Sequence, residues 1–239
     1  MNGFPLPVSL QGLSVVIKAL HDLLSAIQLD EGLVFCSDSR TNAGADRVIP
    51  QQGTGSPFRG TLRFAHRRGG NLATSQAVVS QIQRDFEENA EFNISDAKYV
   101  SDIAEYIGQL NVAEQDKHRR PGGPDAEGFN ASASFILGGQ LKGQPSELYL
   151  IYPEGNHITA SEQHPYLQIG ETKYGKPILD RIIQPDTSPE IAMRCGLLSI
   201  DSTMRSNATV GPLWSACSIA TTASTAFSIT ANSRRTTPI

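Results

Sequence analysis

Leu33, Val34 and Phe35 form an unbroken apolar run that closes on a single carboxylate, Asp38. A strand with one wet face alternates apolar and polar residues, whereas a strand covered on both faces reads as a continuous apolar run. The segment Gly32 to Asp46, GLVFCSDSRTNAGAD, therefore reads as a buried strand over residues 29–38 that ends in a small polar turn. Arg40, Thr41, Asn42 and Gly44 follow at once, so the strand delivers one carboxylate to a place where chemistry can sit.

A buried strand needs elements to cover it, and the chain's 239 residues suffice for one domain. Its 39% apolar content is low for a globular domain without pointing to disorder. Around the strand, Leu10, Leu13, Val16, Ile17, Leu20, Leu23 and Leu24 fit one helix face within residues 1–28. Residues 48–70 fit neither period. Arginine and glycine dominate there, Pro50 and Pro57 punctuate, and a loop of this length counts against any compact arrangement that needs it.

Order returns at Asn71, a cap for a helix carrying Leu72, Val78, Val79, Ile82 and Phe86 on one stripe. A second helix is predicted from Ser95 to Lys117, with Tyr99, Ile103, Ile107 and Leu110 facing one way. Two strands follow, Ala133 to Gln140 and Leu148 to Tyr152, then a turn at Pro153 to Asn156. Helices are predicted near Tyr174 to Ile183 and Pro189 to Met204. From Leu213 to Ile239 serine, threonine and alanine dominate with almost no periodicity. The order fits two antiparallel sheet layers between helix layers, with strands missing at the start, in 48–70 and at the end.

The totals exclude several function classes. A formal charge of -4 argues against nucleic-acid binding by bulk electrostatics. No apolar run approaches the ~18 residues of a membrane span. The stretch Phe4 to Leu24 lacks a basic leader and a small-residue cleavage site, so no secretory signal is expected. Cys36, Cys195 and Cys217 are odd in number and widely spaced, which predicts reduced thiols and a cytoplasmic protein. His118, His157 and His164 have no ligand spacing, so no metal is expected. The adjacent Gly138 and Gly139 lie in a strand pattern with no helix start after them, which points to close packing or a bulge rather than phosphate binding.

Six blocks together resemble one family. GLVFCSDSRTNAGADR, GNLATSQAV, SFILGGQLKG, LYLIYPEGNHI, YLQIGETKYGKPILDRII and LSIDSTMRSNATVGP are similar, in order, to the bacterial proteasome-like peptidases called Anbu, the ancestral beta subunit. The resemblance implies an α+β fold, the four-layer αββα sandwich of N-terminal-nucleophile hydrolases, in a cytoplasmic, self-assembling particle that acts on peptide or protein substrates without a cofactor. In such peptidases a threonine with a free α-amine attacks the peptide carbonyl, and a buried aspartate and a lysine tune the pair. Asp38 aligns with that aspartate. Asp201, Ser202 and Ser206 fall in the block that runs beside the active centre in related peptidases. At Gln168-Ile169-Gly170 the supporting serine of the proteasome has no counterpart.

The departures have sharp edges. The resemblance gives a proteasome-like domain over 26–212, an aberrant insert at 48–70, and non-family segments at 1–25 and 213–239 that are disordered or non-native. Where the family begins Met-Thr-Tyr-Cys, this chain reads His21-Asp22-Leu23-Leu24, and residues 49–70 hold no lysine. Back-translated with chosen codons and read one base later, His21 to Leu24 yields the family's start. The stretch from Ile49 yields a lysine block when treated likewise, and that from Leu213 yields an apolar strand when read two bases later. Shifted reading frames thus account for all three windows, and for the basic cluster Arg59, Arg63, Arg67 and Arg68 with Phe58 and Phe64. The expected function is a threonine-type peptidase that is inactive as written; the alternative is a non-catalytic structural subunit or pseudoenzyme.

Overall fold

The computed structural model describes residues 13–19, 23–38, 40–42, 48–50, 71–117, 130–141, 143–208, 210, 213–220 and 226–232. Chain order runs β1 (Leu13–Ala19), β2 (Leu23–Leu29), β3 (Gly32–Asp38), β4 (Arg40–Asn42), β5 (Val48–Pro50), α1 (Leu72–Glu87) and α2 (Val100–Asp116). It continues with β6 (Phe135–Leu141), β7 (Ser146–Ile151), β8 (His157–Thr159), β9 (Tyr166–Gly170), α3 (Lys176–Ile182), α4 (Pro189–Ser206), β10 (Leu213–Ala220) and β11 (Ala226–Asn232). Two antiparallel sheets carry the fold, ordered β1-β6-β7-β8 and β11-β10-β3-β2-β9, with a small β4-β5 ribbon beside them.

The buried strand read over residues 29–38 is β3, which starts only at Gly32 because Leu29 ends β2 and Asp30 and Glu31 form the turn between them; every residue in it is buried. Its side chains alternate between two cores because successive Cβ atoms point to opposite faces. Leu33 and Phe35 join Leu24 and Ala26 of β2 in a cluster with Ile136, Leu148 and Leu150 of the other sheet. Val34 and Cys36 join Leu23, Ile27 and Leu29 in a cluster with Leu179, Ala192, Cys195 and Ile200 from the α3–α4 region. A third cluster packs Val78 and Ile82 of α1 and Ile103, Ala104 and Ile107 of α2 against Phe135, Leu137 and Ile151. Two glycines set the spacing. A Cβ on Gly138 would stand 2.4 Å from the Phe35 ring, and one on Gly196 would stand 2.6 Å from the Cys36 sulfur. Of the two readings of its strand context, close packing or a bulge, Gly138 thus takes the first.

Three expectations are corrected. The N-terminal apolar residues form β1 and β2, not a helix. The run Val15-Val16-Ile17 is β-branched and fits period two as well as it fits a helix. Pairing with β6, from Leu13↔Leu141 to Ala19↔Phe135, resolves the ambiguity. The strands thought missing at the end exist: β10 lies antiparallel to β3 from Trp214↔Asp38 to Ala220↔Gly32, and β11 pairs with β10. A buried strand must satisfy its backbone groups on both sides, so β3 recruits a neighbour of modest intrinsic propensity. Three further short strands were missed, β4, β8 and β9, the last pairing with β2. Most of the loop expected at 48–70 lies outside the described residues; within it, Val48–Pro50 is β5.

Helix boundaries follow local hydrogen bonding. The Asn71 side chain accepts from the Ala73 amide at 2.9 Å, opening α1 where its cap was read. The second helix starts later than predicted because Asn93 to Asp96 closes a turn of its own: Asn93 Oδ1 accepts from the Ser95 amide at 2.9 Å, and the Asp96 amide donates to the Asn93 carbonyl at 3.0 Å. Helix α2 then opens at Tyr99, whose amide donates to Asp102 at 3.0 Å.

Packing also holds tyrosines neutral. Burial pushes the Tyr149 phenol up to about 12, helped by the Glu147 carboxylate that its hydroxyl meets at 3.1 Å. Burial, then a hydrogen bond to Asp85, raises Tyr106 as well. Both sit above the unfolded value of 10.0, so the stability they contribute is complete below that pH and is lost as pH rises through the folded values. The melting temperature is therefore expected to hold up to pH 10 and fall above it, with Tyr149→Phe flattening the decline. A melting temperature unchanged between pH 10 and 12 would count against this assignment.

Candidate functional site

Asp38 ends β3 with its side chain fully buried. Across the hairpin it faces the start of β2, and its Oδ1 accepts from the Leu23 amide at 3.2 Å. Leu23 is paired on its other side with Gly170, the last residue of β9. Neighbouring strands lie about 4.8 Å apart, so β3 and β9 flank the first residue of β2. Gly170 has φ 103°, a backbone that turns the chain out of the sheet into Glu171 and favours glycine.

Glu171 links this edge to α4. One carboxylate oxygen accepts from the Lys173 amide at 3.0 Å and the other from the Asn207 side-chain amide at 3.1 Å. Asn207 caps the C-terminus of α4, its own amide donating to the Thr203 carbonyl at 2.7 Å. The block holding Ser202 and Ser206 is thereby tied to the loop that leaves β9 beside Leu23. Glu171 and Asn207 were not singled out from sequence. The available signal was position: one follows Gly170 directly, and the other adjoins Ser206.

The remaining candidates sit on α4. Asp201 is on the helix exterior, paired with Arg205 at 2.9 Å. Ser202 is half-buried, and Ser206, the last helical residue, is exposed. The helix approaches β3 an earlier turn away, where the Cys36 thiol donates to the Met193 carbonyl at 3.9 Å. Cys36 and Cys195 are both buried and outside any disulfide, and burial raises the Cys195 thiol above its ordinary value. At the far end of β9, Tyr166 hydrogen-bonds to Asp180, and Lys176 donates to the phenol oxygen at 2.8 Å, bracing α3 on the sheet edge. Among the described residues no group of three or more histidine, cysteine or acidic side chains is arranged to hold a metal ion. Chemically, the arrangement offers one buried carboxylate aimed at the backbone nitrogen that begins β2.

No protein-family model matches the chain, and no curated protein matches it. Solved structures do. Anbu (ancestral beta-subunit) from Yersinia bercovieri is 34% identical over 83% of this chain and 82% of that one, with a TM-score of 0.71. The chain belongs to the Anbu family. Anbu from Hyphomicrobium sp. strain MC1 aligns at 35% identity over 83% of this chain and 82% of that one, TM-score 0.66. A structure described as a helical assembly of the Anbu complex from Pseudomonas aeruginosa aligns at 34% identity over 90% and 88%, with a TM-score of 0.75. As an Anbu chain, the protein has the mixed helix-and-sheet arrangement in which β2, β3 and β9 frame the edge described above. No helix among its described residues is long and apolar enough to cross a membrane.

Proposed function

We propose that this Anbu chain has the fold of a proteasome-type threonine peptidase but, as written, is a non-catalytic subunit of a self-assembling particle. One observation carries the reading. The chain runs from β1 in one sheet into β2 in the other, so the nitrogen beside Asp38 is the peptide amide of Leu23, not a free amine. An N-terminal nucleophile uses its own α-amine as base, and an acylated nitrogen cannot take up that proton. His21, Asp22 and Leu23 also provide no hydroxyl nucleophile where the family has threonine.

In this reading Asp38 is the supporting carboxylate of the family's site, on the strength of its burial and its contact with the start of β2. Ser206 borders the site through Asn207 and Glu171, Ser202 lies one turn before it, and Asp201 stands on the outer side of the same helix. The three apolar clusters, each joining adjacent layers, support the αββα order of helices, sheet, sheet and helices. Self-assembly is supported by the Pseudomonas relative, described as a helical assembly. A cytoplasmic location and a peptide or protein substrate for intact relatives follow from the family. Frame displacement at residues 1–25, 48–70 and 213–239 explains how a peptidase gene yields such a chain.

Purified protein of this sequence is expected to release no fluorophore from a panel of fluorogenic peptides above the blank rate. Turnover abolished by Asp38→Asn would overturn the proposal. Genomic DNA across the codons for His21, Ile49 and Leu213 tests its origin. An intact frame there would leave a genuine non-catalytic subunit in place of a frame-disrupted peptidase.

A further inference from the structure

We infer that Gln168 and Ser25 form a register lock, a polar rung that fixes β9 against β2 and so keeps Gly170 beside Leu23 and Asp38. The lock concerns the shape of that edge and does not depend on catalysis there. Strand β9 has five residues, lies at one end of its sheet and pairs with β2. Its side chains divide between two cores. Tyr166 joins the cluster under α4 with Leu23 and Ile27, whereas Leu167 and Ile169 meet the other sheet. Gln168 falls on the Tyr166 face, opposite Ser25, which is itself opposite Cys36 of β3. Its Nε2 donates to the Ser25 hydroxyl at 2.7 Å, and Ser25 is fully buried. Leu23 and Gly170 form the next rung on that face.

The apolar pattern does not choose this register by itself. A one-residue slip would turn Leu167 and Ile169 out of their core, which excludes it. A two-residue slip that sets Gln168 opposite Leu23 keeps both on the core face, and the backbone ladder repeats with that same period. The side-chain hydrogen bonds at the ends of β9, Tyr166 to Asp180 and Asn207 to Glu171, tie it to α3 and α4. The Gln168–Ser25 bond ties it to β2, and the slip breaks that bond by setting Ser25 opposite Tyr166. The rung is a poor source of stability. Among the described residues, Gln168 Oε1 is buried without a hydrogen-bond partner, a cost that an apolar side chain would not carry. A buried polar pair that selects one arrangement while costing stability has the role of a lone asparagine in a coiled-coil seam.

Nuclear magnetic resonance of the full chain tests this, with cross-strand backbone Overhauser contacts between β2 and β9 reading the register. The unmodified chain is expected to show one set of β9 signals, with Leu23 against Gly170 and Ser25 against Gln168. Gln168→Leu is expected to melt no lower than the unmodified chain. It is also expected to show a second set at about a tenth or more of the β9 intensity, with residue 168 against Leu23. Ser25→Ala is expected to show the second set too, but to melt several degrees lower, because the Gln168 amide then loses its acceptor. A single native register in either variant, or two registers in the unmodified chain, would overturn the lock. So would a lower melting temperature or a lost fold for Gln168→Leu, since the pair would then be a source of stability. Should Ser25→Ala fail to fold, Gln168→Leu decides alone.

Discussion

Replacing Phe35 by alanine is expected to lower the unfolding free energy by about 3–5 kcal/mol, the usual cost of emptying a fully buried aromatic site. Phe35 is fully buried among Leu24, Ala26, Leu33, Ile136, Leu148 and Leu150, at the junction of the two sheets. The opposing sheet is shaped to it, since Gly138 lacks the Cβ that would stand 2.4 Å from its ring. The cavity left by alanine is walled by backbone on two β-sheets, which relax little, so the loss falls toward the upper end. A typical domain has only about 5–15 kcal/mol in total, so the variant is left marginally stable. Phe35→Leu keeps most of the volume and is expected to cost less than half as much. Denaturant unfolding with unchanged slope provides the measurement. A loss below ~1 kcal/mol for alanine would mean that the sheets are not packed through this residue.

The second large effect is at Asp38. Alanine there is expected to cost about 1–3 kcal/mol, the penalty of leaving a buried backbone donor without its acceptor. The donor is the Leu23 amide, 3.2 Å from Asp38 Oδ1 at the start of β2. Asp38→Asn retains an acceptor oxygen of the same reach and is expected to recover most of the loss. The comparison separates the hydrogen bond from the charge. If asparagine is as destabilising as alanine, the negative charge is what the site needs. If neither differs from the unmodified chain, the Leu23 contact contributes nothing. Urea unfolding of the three proteins under one buffer condition distinguishes these outcomes.

Legibility from sequence varied with how local the deciding interaction was. Helix α1 was readable because its cap, Asn71, and its stripe, Val78 and Ile82, lie within the segment itself. Most of α2 was readable too, but not its start, because the Asn93 side chain turns the chain before Val100 can begin a helix. Strand β1 was misread as helix because its apolar residues satisfy both periods, and only β6, more than a hundred residues away, selects the strand. Strand β10 was unreadable for a related reason: Ser215, Ala216 and Ser218 have little preference of their own, and the register with β3 supplies it. At the site, Asp38 was legible as the polar end of an apolar run. Glu171 and Asn207 were not, since their hydrogen bond spans 36 residues.

The sequence by itself determined that β3 is buried, that a carboxylate ends it, and which family the blocks belong to. All three follow from contiguous residues, whose order is a local property. Only the tertiary structure decided what stands beside that carboxylate. It brought β2 and β9 to the Asp38 edge, joined β1 to the opposite sheet and gave β3 its second neighbour. Each of these depends on hydrogen bonds between strands distant in the chain, whose partners are chosen by burial and register and not by any residue's own preference.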